Sequence, residues 1–189
     1  SPEIYAEIVR MVGERTPKLE KFLDESRSKI TERLDSVGLE ATVTGRPKHY
    51  YSIHQKMKTK GRSFDEINDI LAVRIMVETD EQCYTVLGHI LSLWPAMPGR
   101  FKDYIKNPKP NGYRSLHLIV EIPVFFAEGK KYMQVEVQFR TIAMDFWASV
   151  EHKIYYKKDI DHDTAQITEK LRLCAENINS IAIELENIS

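Results

Sequence analysis

Gln134-Val135-Glu136-Val137-Gln138-Phe139-Arg140 alternates polar and apolar side chains without a break. Successive side chains of a strand point to opposite faces. Val135, Val137 and Phe139 therefore share one face, and Gln134, Glu136, Gln138 and Arg140 share the other. The apolar face belongs to a core. The polar face, a row of amide, carboxylate, amide and guanidinium, suits either a wetted surface or the floor of a cleft. Upstream, Leu116, Leu118 and Val120 alternate as a second strand, and residues 70–77 form a dense strand rich in β-branched residues. Cys83, Val86, Leu87, Ile90, Leu91 and Trp94 fall on one face of a helix between them, and residues 141–158 continue as a helix after the Glu136 strand. Strands interleaved with helices imply a sheet under helical cover, α/β or α+β. Trp94, Phe146 and Trp147 are assigned to the core.

Further towards the N-terminus, Ile4, Ile8 and Met11 step at helical spacing, and Leu19, Phe22, Leu23, Ile30, Leu34 and Val37 continue it after Thr16-Pro17. Pro17 suits the first turn of a second helix, and Gly38 is a stop signal. Residues 41–44 read as a short strand, Gly45-Arg46-Pro47 as a turn, and residues 49–60 as a basic helix ending at Gly61. Residues 95–112 contain four prolines and two glycines, a loop too long for mere connection in a compact domain, which points towards function. At the C-terminus, Ile167, Leu171, Cys174, Ile178, Ile181, Leu185 and Ile188 alternate spacings of four and three, the seam of a packed helix. Contacts between subunits are expected there; packing on the N-terminal helices of the same chain is the alternative.

A chain of 189 residues holds about one domain's core. With 42% hydrophobic and 29% charged residues it is neither disordered nor membrane-embedded, and no apolar run approaches the ~18 residues of a membrane span. Ser1-Pro2-Glu3-Ile4 carries no signal-peptide pattern. Cys83 and Cys174 both sit in apolar periodic stretches and are expected to be reduced core residues of a cytoplasmic protein. The formal charge of −1 excludes a uniformly basic nucleic-acid coat. It hides two basic segments, however. Residues 46–62 contain six basic side chains and no acid, and residues 98–117 contain five against Asp103 alone. Two such segments could converge on one polyanion. Asp69, at the mouth of the 70–77 strand, offers a second carboxylate to join Glu136. Two carboxylates on sheet strands can hold Mg²⁺, a hard cation that often shares its oxygen ligands with phosphate. Paired carboxylates among basic loops favour nucleotide chemistry over a wet surface.

Five segments then occur in order: Arg46-Pro47-Lys48 with Tyr51-Ser52-Ile53 and Lys56; Asp69-Ile70-Leu71-Ala72-Val73-Arg74; Arg100-Phe101-Lys102-Asp103-Tyr104-Ile105; Lys109-Pro110-Asn111-Gly112-Tyr113-Arg114-Ser115-Leu116-His117; and Glu136-Val137-Gln138-Phe139-Arg140-Thr141. Together they resemble the synthetase domain of RelA/SpoT-type alarmone synthetases, over roughly residues 41–158. The resemblance implies an α+β fold, a central mixed sheet flanked by helices in the nucleotidyltransferase-like manner, with helical N- and C-terminal extensions at 1–40 and 159–189. It implies transfer of pyrophosphate from ATP to the 3′-hydroxyl of GDP or GTP, giving ppGpp or pppGpp and AMP. The chain is too short for the long bifunctional members, whose hydrolase domain needs a distributed His and Asp set that His162-Asp163 alone does not supply. Residues 146–152, with Tyr156-Lys157, are closer to the small single-domain synthetases.

Carried over residue by residue, Asp69 and Glu136 resemble the family's Mg²⁺ pair, Glu136 also helping to deprotonate the attacking hydroxyl and Gln138 orienting it. Arg46 and Arg74 resemble the adenine clamp, with Lys48, Ser52 and Lys56 on the ATP phosphates. Tyr113 resembles the residue that stacks on the acceptor guanine. Lys102, Lys109 and His117 would meet the acceptor's phosphates, and Asp145 would select guanine through its N1–H and N2 donors. Ala72 stands where the family often has Gly, and Arg100-x-Lys102-Asp103 resembles the loop of the long enzymes more than that of many small ones. The expected partners are ATP, GDP or GTP, and further copies of the chain as a homotetramer, with no membrane; the resemblance leaves RNA contact open. The competing activities are a toxin-like relative acting on tRNA 3′ ends or adenine nucleotides, and an idle nucleotide- or RNA-binding module, against which the presence of both Asp69 and Glu136 argues.

Overall fold

Alternation along two central strands sorts the fold into layers. The computed structural model describes residues 2–47, 71–126, 129–156 and 164–188. In chain order these are α1 (Pro2–Ser36), β1 (Thr42–Pro47), β2 (Leu71–Val77), α2 (Asp80–Leu93), β3 (Lys102–Asp103), β4 (Leu116–Phe126), β5 (Gly129–Thr141), α3 (Ile142–Tyr156) and α4 (Thr164–Ile188). The strands form one mixed sheet of order β1-β2-β5-β4-β3. β2 and β5 run parallel at its centre, and every other pairing is antiparallel. This is the α+β arrangement of sheet and helical cover that the sequence implies.

One face of the sheet is dry. Leu71, Val73, Ile75 and Val77 of β2 and Val135, Val137 and Phe139 of β5 are buried with Leu116, Leu118 and Val120 of β4. Phe22, Leu23, Ile30 and Leu34 of α1 and Cys83, Val86 and Ile90 of α2 complete this core. Burial pushes the Cys83 thiol up to about 12, because an apolar site disfavours the thiolate. Trp94 and Trp147 are buried as expected. α2 begins at a capping box, in which Gln82 N–H donates to Thr79 Oγ1 at 3.1 Å and Thr79 N–H to Gln82 Oε1 at 3.2 Å.

Several local expectations are corrected. Pro17 lies inside the continuous helix α1 and does not start a second one. A proline removes one helical hydrogen bond, a local loss that the core anchors of the C-terminal half outlast. α1 closes at Gly38, the expected stop, where Leu39 N–H donates to Leu34 O at 3.0 Å and Gly38 N–H to Asp35 O at 3.1 Å, the Schellman pattern. Gly45-Arg46-Pro47 is not a turn but the second half of β1. A Cβ at Gly45 would lie 3.3 Å from Arg27 Cδ and 3.5 Å from Val73 Cγ2, so this glycine serves the close approach of α1. Cys174 and Phe146 are exposed, not core, because helical spacing marks a stripe without saying how far it is covered. The basic helix at 49–60 and His162-Asp163 lie outside the described residues. Among the described residues no helix is long and apolar enough to cross a membrane.

α4 packs on α3 with Leu171 buried, and the Trp147 indole N–H donates to Leu171 O at 3.0 Å. Its distal apolar positions Ile181, Leu185 and Ile188 are exposed in the single chain.

Phe139 is fully buried at the sheet centre. Phe139→Ala should lower unfolding free energy by about 3–5 kcal/mol in urea denaturation, through lost transfer energy and a cavity. Phe125→Ala, on the exposed hairpin end, should change it by less than about 0.5 kcal/mol.

Candidate active site

The second face of the sheet carries the polar half of each alternation. Strand register places Thr44, Arg74, Gln138, His117 and Lys102 in a single row across all five strands. The neighbouring row holds Arg46, Ala72, Glu136 and Ile119. At about 4.8 Å per strand, the five-strand row is roughly 20 Å long, room for two nucleotides side by side. Residues as far apart in sequence as Thr44 and Gln138, 94 positions, thus line one row. Ala72, small, lies between Arg46 and Glu136 in its row and keeps the floor low there. The sidedness of the polar row is settled by this register: it faces away from α1 and α2.

Glu136 and Gln138 are both half-buried on this floor, and Gln138 Nε2 donates to Glu136 Oε1 at 2.7 Å. The bond fixes the carboxylate's orientation along the strand. Glu136 is a hard oxygen donor of the type Mg²⁺ prefers. Among the described residues no group of three His, Cys, Asp or Glu surrounds it.

Past Gln138, the buried Arg140 organises the end of the floor. Its Nη1 donates to Asp145 Oδ1 at 3.2 Å and its Nη2 to Tyr113 Oη at 2.6 Å. Arg74 Nη1 lies 3.2 Å from the same Asp145 Oδ1. One carboxylate oxygen therefore holds together two guanidiniums from adjacent strands. Asp145 is in the first turn of α3, where negative charge is favoured, but the cap itself is Thr141, whose Oγ1 accepts from Met144 N–H at 3.2 Å. Arg140 Nε is buried with no hydrogen-bond partner among the described residues, a donor suited to an acceptor supplied by a ligand.

Tyr113 stands over this end as a platform. Its hydroxyl is 2.7 Å from His117 Nε2. Its ring meets Tyr104 and His117 edge-on, with centroids 5.9 and 5.7 Å away, and Trp147 at 6.2 Å. Lys109 Nζ lies 5.2 Å from the Tyr113 centroid and 4.9 Å from that of Tyr104, cation–π distances. The loop is stiffened locally: Gly112 N–H donates to Lys109 O at 2.8 Å, Lys109 N–H to Tyr113 O at 3.1 Å, and Tyr113 N–H to Asn111 Oδ1 at 3.0 Å.

Asp103 anchors the other side of the loop. Its Oδ1 accepts from Ile105 and Lys106 N–H at 3.1 and 2.9 Å, and both its oxygens accept from the Tyr84 hydroxyl. Burial, and then the bond to this carboxylate, pushes Tyr84 up to about 12. Asp103 thus fixes how Lys102 is carried on β3.

Of the candidates from sequence, the fold gathers Arg74, Lys102, Lys109, Tyr113, His117, Glu136, Gln138 and Asp145 on one face. Asp69, Lys48, Ser52, Lys56 and the side chain of Arg46 lie outside the described residues. Arg140 and Tyr104 were not singled out as site residues. The alternation that groups Arg140 with Glu136 and Gln138 carries that signal; Tyr104 falls inside the 100–105 segment of the resemblance, but its place against Tyr113 and His117 depends on the loop's folding.

A family model described as "Region found in RelA / SpoT proteins" matches residues 45–161. The chain is 47% identical over 143 residues to a GTP pyrophosphokinase of Streptomyces coelicolor, covering 76% of this chain and 16% of that protein. It thus spans about a sixth of the length of the curated relatives it matches. Its fold superposes on the small alarmone synthetase 2 of Bacillus subtilis with a TM-score of 0.80 at 37% identity, covering 94% of this chain and 97% of that one. The small alarmone synthetase 1 of the same organism, bound to its product pppGpp, gives a TM-score of 0.76 at 29% identity, with 89% and 91% covered.

Asp145→Ala leaves two guanidiniums facing each other without their shared anion. It should lower unfolding free energy by about 2 kcal/mol in urea denaturation, with Asp145→Asn recovering part of the loss. An unchanged midpoint for Asp145→Ala would show that the bridge contributes nothing to the fold.

Proposed function

The chain belongs to the RelA/SpoT family, and on that premise we propose that it transfers pyrophosphate from ATP to the 3′-hydroxyl of GDP or GTP. The observation that carries this reading is the Glu136–Gln138 pair set in a floor of cations beside an aromatic platform. Metal-ready carboxylate, phosphate-sized rows of positive charge and a purine-sized platform are the three requirements of transfer between two nucleotides.

In the proposed reaction the guanosine 3′-oxygen attacks the β-phosphorus of ATP in line. The new O–P bond forms as the bridge to the α-phosphate breaks, and AMP leaves with that bridging oxygen. The hydroxyl proton passes to the Glu136 carboxylate, which Gln138 holds in position. Glu136 would hold Mg²⁺ with Asp69; when bound, the ion neutralises phosphate charge and makes the β-phosphorus more electrophilic. Such a transfer depends mainly on positioning and on charge stabilisation, and no covalent enzyme intermediate is needed. Arg74, with Arg46, is assigned to the adenine, since a planar guanidinium stacks on a ring. Lys48, Ser52 and Lys56 are assigned to the ATP phosphates.

The acceptor guanine is assigned to the Tyr113 ring. Lys109 now hovers at that ring; a stacked base would send its flexible amine towards the acceptor's phosphates, where Lys102 and His117 already lie in one row. Asp145 is assigned to the guanine N1–H and N2 donors, a carboxylate being an acceptor-only group with two oxygens. Because Oδ1 is engaged by Arg74 and Arg140, Oδ2 is the oxygen this assignment relies on. The exposed distal stripe of α4, Ile181, Leu185 and Ile188, supports self-assembly, with a homotetramer as the proposed state. A cytoplasmic setting supplies both nucleotides.

Glu136→Gln removes a metal ligand and the proton acceptor while preserving shape. At saturating Mg²⁺ it should reduce transfer to GDP or GTP by at least a thousandfold, the scale of losing several kcal/mol of transition-state stabilisation, with its melting temperature preserved. Near-normal turnover would remove Glu136 from the mechanism.

A further inference from the structure

The platform loop rests on α4. Gly112 is buried at φ +90°, and a Cβ there would lie 2.6 Å from Ala175 Cβ and 3.1 Å from Arg172 Cα. The contact leaves no space for any side chain. Two residues on, Arg114 splits its guanidinium: Nη1 donates to Asn179 Oδ1 of α4 at 2.8 Å, and Nη2 donates to Asp80 Oδ2, in the first turn of α2, at 2.8 Å. The Arg114 side chain is largely buried, and the forked geometry of a guanidinium makes it a rigid brace. Trp147, bonded to Leu171 O of the same helix, meets the Tyr113 ring. Tyr113 is thus flanked in sequence by two residues seated on α4, and backed in space by a third.

We propose that α4 is a positioning element of the acceptor site, and that Arg114, braced by Asn179, sets the height of the Tyr113 platform over the floor. This rests on the assignment of the acceptor guanine to Tyr113. Neither Arg114 nor Asn179 touches a reacting atom; they act by restraining the loop. Free energy that orders the loop before binding is not spent at binding, so loosening the brace weakens the acceptor selectively. The brace joins α2, the start of β4 and α4, whereas the clamp arginines Arg46 and Arg74 are carried on β1 and β2, so ATP should be held as before. Anything that shifts α4, whose distal half carries the exposed apolar stripe, would be read out as a change in acceptor KM.

Asn179→Ala tests this with two readouts, steady-state kinetics and hydrogen exchange of the amides at 109–114. The acceptor KM should rise roughly tenfold, the ATP KM should stay within about twofold, and kcat should be nearly unchanged, as expected for a lost preorganising contact. Exchange in the loop should speed up. Asn179→Asp, which keeps an oxygen for Arg114 Nη1, should restore both. An unchanged acceptor KM, or equal losses for ATP and acceptor without rescue by Asn179→Asp, overturns the proposal. A wild-type protein inactive towards guanine nucleotides would refute the function itself; loop exchange unaltered by Asn179→Ala would then overturn the brace as well, and faster exchange rescued by Asn179→Asp would sustain it.

Discussion

A single carboxylate oxygen, Asp145 Oδ1, lies 3.2 Å from Arg74 on β2 and 3.2 Å from Arg140 on β5. The two strands are neighbours, and the two arginines stand on the same face two residues apart in register. Without an anion between them, the buried Arg140 guanidinium and that of the partly exposed Arg74 would repel each other. With it, Arg140 is free to spend its second nitrogen on the Tyr113 hydroxyl, which in turn meets His117. The chain Arg74–Asp145–Arg140–Tyr113–His117 links β2, α3, β5, the 109–114 loop and β4. Two arginines on adjacent strands of one face pack closely only with an anion between them, and this bridge supplies it.

The parallel pairing of β2 with β5 sets where that chain can form. It aligns Arg74 with Gln138 and Ala72 with Glu136, while the alternate residues Val73, Val137, Ile75 and Phe139 close the core beneath. Core and floor are two sides of the same ladder, so a one-residue slip of β5 would bury Glu136 and expose Phe139. The helices α1 and α2 cover the dry side, and among the described residues neither crosses the polar rows. α3 and α4 meet the floor at its end, under the Tyr113 loop.

Much of this layout was legible in sequence because it depends on period. The 134–140 alternation marks both faces of β5, and the dense 70–77 run marks β2. The order of the five segments gave the family and most of the gathered side chains. What escaped was non-local. Cys174 and Phe146 have core-like spacing, yet coverage depends on which neighbouring element arrives, and among the described residues none covers them. Gly45 looks like a turn signal until Arg27 is seen lying across it. Pro17 reads as a helix start, since sequence does not show that the helix continues on both sides. Arg140 was visible as one of a row, but its dominance comes from Asp145 and Tyr113 approaching from separate elements. Arg114 and Asn179 stand 65 positions apart, and nothing local pairs them.

The central claim is transfer to a guanine nucleotide, and one assay addresses it directly. ATP labelled at the β-phosphate would be offered separately to GDP, GTP, a second adenine nucleotide and uncharged tRNA, and the labelled product identified. The account predicts label on the 3′ position of GDP and GTP, with AMP released in equal amount and the other acceptors unlabelled. Label appearing only on tRNA or on the adenine nucleotide would contradict it.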